Sequence, residues 1–257
     1  MKKLFLALSI TAITATSFAQ GGLQIGLSLG TSATLNQFAD GMSNASALFS
    51  DNPYLMPEIG ITVQKCLNEH FSLQAGLSAS SIGFSYAIAQ DYSLLEPWNQ
   101  YAFNTVTINC AKLPVDLAWK SRLDCKNVRE VIGAGFTLLG YGKTNATNNM
   151  SLNNESLGNN NLSSYFNQSV QAPGGLALTG HIVFGIERVY SNDRILGVYF
   201  WFDPGFGNVA TSNVTYTAEN QVYNHTFATN GTSFGWTAAY YFKPLKPKAH
   251  TASNSKS

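Results

Sequence analysis

The sequence predicts an all-β fold: an eight-stranded antiparallel transmembrane β-barrel with long extracellular loops and short periplasmic turns. Three observations predict it. Apolar and polar residues alternate in run after run, which is the period of a strand with two unlike faces. The connections between runs alternate long and short. Charge collects at the short connections, while the long ones are built from Asn, Ser and Thr. A soluble sandwich has no reason to sort charge by turn length, whereas a barrel with lipid on its outer face and two unlike ends does.

The elements follow in order. Strand one covers about 21–34, with Leu23, Ile25, Leu27 and Leu29 on one face. A polar stretch leads to strand two, about 55–66, where Ile59, Ile61 and Val63 oppose Gly60, Thr62 and Gln64. Strand three, about 71–88, starts apolar at Phe71, Leu73 and Leu77, then shifts phase to Ile82, Phe84 and Tyr86. A one-residue slip predicts a β-bulge at Ser80 and Ser81. Strand four, about 102–120, shifts in the same way, and Pro114 needs a position whose N–H is not required. A second bulge is expected between Cys110 and Lys112. Strand five, about 128–142, sets Ile132, Ala134 and Phe136 against Gly133, Gly135 and Thr137.

Residues 143–173 form the longest connection, read as a polar loop; nine of residues 143–170 are Asn. Strand six is about 175–189 and strand seven about 194–203, the latter with Leu196, Val198, Phe200 and Phe202 outside. Residues 204–230 read as a second long polar loop, and strand eight is about 232–243. Tyr101, Phe103, Trp119, Tyr141, Trp201 and Tyr240 lie toward strand ends, where an interfacial aromatic girdle is expected.

The ends carry their own signals. Lys2 and Lys3, an apolar stretch from Leu4 to Ile13, and Ser17, Phe18 and Ala19 make a secretory signal over 1–19. The barrel domain is expected over 20–243, and 244–257 reads as a disordered, basic periplasmic tail. The chain holds 15 basic and 14 acidic side chains, so its near neutrality suggests no nucleic acid partner.

Signal, strands and loop asymmetry resemble the bacterial outer-membrane barrels, and within them the PorT-like family. One segment is 111–120, where Leu113, Pro114, Val115 and Leu117 resemble that family's strand of the form Leu-Glu-Ile-Pro-Leu-Leu-Leu-Lys. Asp116 interrupts the apolar run there, and Lys112 stands where an acidic or polar residue is usual. The other segment is the last strand, ending in Tyr240, Tyr241 and Phe242. The resemblance implies a home in the bacterial outer membrane, contact with its lipid, and recognition by the barrel-assembly machinery.

The inward polar candidates are Glu58, Gln64, Gln74, Asn109, Asp116, His181, Glu187 and Tyr199. In so narrow a barrel they read first as a packed polar plug. Inward Gly133, Gly135, Gly185 and Gly197 keep open a second reading, a narrow channel. A rim enzyme would draw on His181 with Glu187 and a serine, but six residues along a strand separate them by roughly 20 Å. A secreted β-sandwich binding module is the remaining alternative. No phosphate loop, metal motif or nucleophile elbow is present, so no cofactor and no catalytic residue are expected. Cys66 and Cys125 fall near short turns and are the pair expected to form any disulfide. The expectation is a non-enzymatic barrel with a structural or surface-recognition role, its loops open to an extracellular ligand. Intact-mass measurement of the exported protein should place its first residue at Gln20.

Overall fold

The computed structural model describes residues 22–35, 37–38, 49–51, 55–89, 101–124, 127–153, 163–218 and 221–245. The expected signal over 1–19 and the tail beyond Leu245 lie outside them. Among the described residues there are fourteen strands. In chain order they are β1 (Leu23–Thr34), β2 (Gln37–Phe38), β3 (Phe49–Asp51), β4 (Met56–Cys66) and β5 (Phe71–Ala89). Then come β6 (Tyr101–Lys120), β7 (Val128–Tyr141), β8 (Thr144–Asn153), β9 (Ser163–Ala172) and β10 (Gly175–Val189). The series ends with β11 (Ile195–Asp203), β12 (Ala210–Ala218), β13 (Gln221–Thr229) and β14 (Ser233–Tyr241).

Eight of them close a barrel in the order β1, β4, β5, β6, β7, β10, β11, β14. Each pairs antiparallel with the next, and β14 pairs back onto β1, from Gly26 with Tyr241 to Thr34 with Ser233. Closure leaves no free edge in this ring, which rules out the sandwich. Large apolar side chains point away from the barrel on every strand, as at Leu29, Ile59, Leu117, Ile132, Phe184 and Phe200. Ile59 is 65% exposed. Such a belt is stable only against lipid. Phe184 and Phe200 stack across strands within it, ring centroids 5.5 Å apart.

The two expected bulges are absent. Between β5 and β6 the register keeps one offset from Phe71 opposite Trp119 to Ala89 opposite Tyr101. The flanking ladders, β4 with β5 and β6 with β7, are equally regular. Ser72, Gln74, Ser78, Ser80, Ile82 and Phe84 all face inward. The surroundings change, not the side-chain phase. Toward the short turns, apolar side chains point out to lipid and polar ones point in. Beyond Ser80 and Cys110 the wall rises clear of the apolar belt. There Thr105, Thr107 and Asn109 point outward and are exposed, while Ile82, Phe84, Ile108 and Cys110 are buried inside. Asn109, expected inside, is therefore an outer-face residue, because that placement assumed a slip. Pro114 sits where the β5–β6 ladder lapses opposite Gly76, so its missing N–H breaks nothing.

The two long connections are also more than loops. Residues 144–153 pair antiparallel with 163–172, and 210–218 with 221–229, joining β8 to β9 and β12 to β13. β9 pairs with β12, and β2 joins β13, making a second, five-stranded sheet that packs against the outer end of the wall. Its inner face places Val170, Ala172, Ala210, Val214 and Phe227 on Ile82, Phe84, Ile108, Cys110 and Leu139 of the wall. A fully buried apolar side chain of this size contributes roughly 1.5–3 kcal/mol. The base of the sheet is tied down where Gly205 N–H donates to Thr232 Oγ1 at 2.9 Å and Asn230 Nδ2 donates to Gly205 O at 3.0 Å. Any Cβ at Gly205 would collide with the Asn230 carbonyl, so this close approach needs glycine.

Of the aromatics expected in a girdle, Trp119 lies on the outer face. Trp201 instead is buried inside the barrel and Tyr141 packs under the second sheet, because their positions share the inward parity. Phe84→Ala should open the sheet–barrel junction at a cost of about 3–5 kcal/mol. Limited proteolysis should then cut within β8 and β9, whereas Phe71→Ala on the lipid face should leave both resistant.

Candidate functional site

The barrel interior concentrates the chain's buried charge. It is built in levels because every second residue of each strand points inward. The level nearest the short turns centres on Glu187 of β10, whose side chain is 0% exposed. Lys120 of β6 donates to both its oxygens at 2.8 and 3.0 Å. Arg129 of β7 reaches Oε2 at 2.6 Å through Nη2 and 2.8 Å through Nε. Tyr199 of β11 donates to Oε1 at 2.7 Å. Four charge-assisted or hydroxyl donors thus satisfy one carboxylate in a place that water does not reach.

Lys120 extends this network, donating to Gln64 Oε1 at 2.7 Å. Gln64 Nε2 donates to Gln24 Oε1 at 2.7 Å, and Gln24 Nε2 to the Asp193 carbonyl at 2.8 Å. Gln74 Nε2 approaches Gln64 Oε1 at 3.5 Å. Every barrel strand except β14 contributes a side chain, and Tyr241 of β14 packs beside it with its hydroxyl 3.3 Å from Thr62 Oγ1.

The next level holds an ion pair and, separate from it, a histidine–carboxylate hydrogen bond. Lys112 Nζ lies 3.1 Å from Glu58 Oε2 and 4.1 Å over the centre of the Trp201 ring. Ser78 donates to the other Glu58 oxygen at 2.9 Å. His181 Nδ1 donates to Asp203 Oδ1 at 2.6 Å. A cavity of about 90 Å³ lies among these groups, lined also by Asp116, Thr137, Tyr199 and Tyr241. Above it, Ser32 and Ser80 hydroxyls meet at 2.8 Å, and then the apolar core under the second sheet begins.

Glu58, Gln64, Asp116, His181 and Glu187 of the expected inward set lie in this interior, with Gln74 and Tyr199. His181 and Glu187 are not brought together: each has its own partner, on opposite levels. Lys112, Lys120, Arg129 and Asp203 were not among the sequence candidates. Parity carries a signal for three of them, since Lys112 and Lys120 alternate in step with Asp116, and Asp203 with Tyr199 and Trp201. Lys120 and Arg129 flank a short turn, where charge reads as solvated.

Side chains fill the space over three of the small inward residues. The Tyr199 side chain fills the space over Gly185 and Gly197, so that a Cβ at Gly197 would strike its hydroxyl. At Gly133 a Cβ would come within 2.8 Å of Val183 Cγ1 and 3.0 Å of Asp116 Oδ2. Cys66 and Cys110 are free thiols, and Cys125, the other half of the expected disulfide, lies outside the described residues.

Glu187→Ala strips Lys120 and Arg129 of their counter-charge and should destabilise the barrel by about 3–5 kcal/mol. Adding Lys120→Met should restore part of that loss, read by urea unfolding in detergent.

The family model for the outer membrane protein beta-barrel domain matches residues 18–211. No curated protein matches the chain in sequence. Among solved structures, the chain is similar to Neisserial surface protein A at 11% identity, covering 88% of this chain and 99% of that one, with a TM-score of 0.44. It is similar to the outer membrane protein OprG from Pseudomonas aeruginosa at 9% identity, covering 87% and 95%, with a TM-score of 0.42. It is also similar to the outer membrane protein AlkL in lipid bilayers at 11% identity, covering 90% and 95%, with a TM-score of 0.40.

Proposed function

The chain belongs to the outer membrane protein β-barrel domain family, and from that premise we propose that it is a non-conducting, non-enzymatic barrel of the PorT-like type, serving surface recognition. It is a protein of the bacterial outer membrane, so the short turns face the periplasm and the second sheet stands outside the cell. The observation that carries the reading is the double seal. The Glu187 network blocks the periplasmic half, and the apolar core under the outer sheet blocks the other. A solute would have to displace both.

The non-enzymatic part is supported by where the reactive groups lie. His181 and Asp203 form the one buried His–carboxylate pair among the described residues, and they sit beneath the outer seal, away from the rim. The PorT-like assignment rests on the segment 111–120. The outer sheet supplies the recognition surface. Asn145, Thr147, Asn149, Gln171, Asn213 and Asn224 are exposed on it. Thr215 donates to Asn224 Oδ1 at 2.7 Å and Thr226 to Asn213 Oδ1 at 2.9 Å, so the face is held in order across strands. A neutral face of amides and hydroxyls engages an extracellular ligand through hydrogen bonds rather than charge. Outer-membrane lipid and the barrel-assembly machinery are the partners this architecture calls for.

Planar-bilayer recording tests the seal. The wild-type barrel should be silent. A variant with Lys120, Arg129 and Glu187 all changed to Ser, and with 144–172 replaced by a flexible linker, should show discrete conductance steps. Heat-modifiable gel mobility verifies that both are folded, and steps from the folded wild type would overturn the reading.

A further inference from the structure

The outward face of the second sheet carries a pattern with a cause in the sequence. Residues two apart in a strand share a face, so an Asn-x-Ser/Thr segment sets an amide and a hydroxyl on the same side. Such segments start at Asn145 in β8, Asn167 in β9, Asn213 in β12 and Asn224 in β13. The residues between, such as Gln168 and Val214, are buried toward the barrel, so the Asn, Ser and Thr side chains face away from it. The register then aligns them. Thr147, Ser169, Asn213 and Thr226 stand side by side in one row across the four strands. Asn149, Asn167, Thr215 and Asn224 make the next row. On the other side of the first, Asn145 lies beside Gln171 and Gln171 beside Thr211. These rows hold no charged and no aromatic side chain. Thr226 donates to Asn213 Oδ1 and Thr215 to Asn224 Oδ1, which fixes both amides by their oxygens. No hydrogen bond among the described residues uses the Nδ2 of either.

Charge, area and spacing decide what such rows can hold. A polyanion would find no cation in them. A folded partner needs about 800 Å² on each side of a stable interface, whereas three rows across four strands cover on the order of 200 Å² at the usual strand spacing and rise. Protein partners are also anchored by Trp, Tyr and Arg, which these rows lack. A neutral polysaccharide fits on each count. It is uncharged and thin, and every sugar presents hydroxyls that donate and accept. Neighbouring strands lie about 4.8 Å apart, close to the advance of one sugar along an extended chain. We propose that the outward face of the second sheet binds a neutral polysaccharide lying across β8, β9, β12 and β13, each strand offering an amide and a hydroxyl to one sugar. This rests on the surface-recognition reading and names its ligand class. Each barrel binds weakly, and many barrels on one cell hold the same chain together.

Biolayer interferometry tests this with the full-length barrel in an ethylene-oxide detergent, which carries no sugar. The sensors bear dextran, mannan or laminarin, with dextran sulfate as the charged control. At least one neutral polysaccharide should bind saturably, with an apparent affinity that changes less than about twofold between low and high salt. Asn213→Ala combined with Asn224→Ala should fold, judged by heat-modifiable mobility, and weaken that binding at least about fivefold. If it does not fold, Ser169→Leu, which removes a hydroxyl from the middle of the rows, should do the same. Blank neutral sensors would sink the proposal. So would binding that survives these variants, or binding confined to dextran sulfate and lost in high salt. Adhesion of barrel-bearing cells to a gelatin-coated surface separates this proposal from the reading beneath it. Blank sensors with adhesion that the double variant abolishes would replace the polysaccharide by a protein and keep surface recognition. Blank sensors with no barrel-dependent adhesion would remove both.

Discussion

The satisfaction of one buried carboxylate, Glu187, organises the barrel interior. Its side chain has no solvent exposure, so it is tolerable only with donors on all sides. Those donors come from three other strands, and the glutamines that steady Lys120 come from three more. Each donor reaches the carboxylate only if its strand holds the observed register. A one-residue shift on any of them would turn the donor out to lipid. The pair network is therefore better understood as a device that specifies register than as a large net source of stability.

The same requirement explains the small residues. Glycines at 185 and 197 admit the Tyr199 ring, and the glycine at 133 leaves room for Asp116 and Val183. In the sequence they suggested space for a solute. In the structure that space is taken by side chains whose polar atoms must converge. A narrow barrel with large charged residues inside needs compensating small ones, since its interior is only wide enough for side chains to fill.

A second constraint acts along the barrel axis. Strands β5 and β6 run much farther than a membrane crossing requires, with 19 and 20 residues against about 9–11 for a tilted span. The wall therefore passes from lipid into water without interruption. Inside the membrane its apolar face must point outward, and above the membrane it must point inward. The inward apolar rim then needs a cover, and the strands of the two long connections provide it. Recognition surface and outer seal are thus the two faces of one sheet.

The eight membrane strands, their order and their outward faces were legible in the sequence, because period-two alternation against lipid is a local property of each strand. So were most inward polar residues, through the same parity. The apparent slips at Ser80 and Cys110 were legible too, but local pattern cannot distinguish an inserted residue from a change of surroundings. That is why Asn109 was assigned to the wrong face. The second sheet was hidden for a related reason. Its strands are rich in Asn, Ser and Thr, and the few residues that bury, such as Val170, Val214 and Phe227, do so only against a partner contributed by another part of the chain. Which carboxylate meets which cation was likewise beyond the sequence. Parity puts Asp116, His181, Asp203 and Glu187 inside, but only the shear and closure of the barrel decide that Glu187 gains several donors while Asp116 Oδ2 gains none. The sequence by itself determined the strands and their lipid face, since these follow from the solvent each strand meets; the tertiary structure alone decided the pairings, the seals and the site, since these depend on distances between strands remote in the chain.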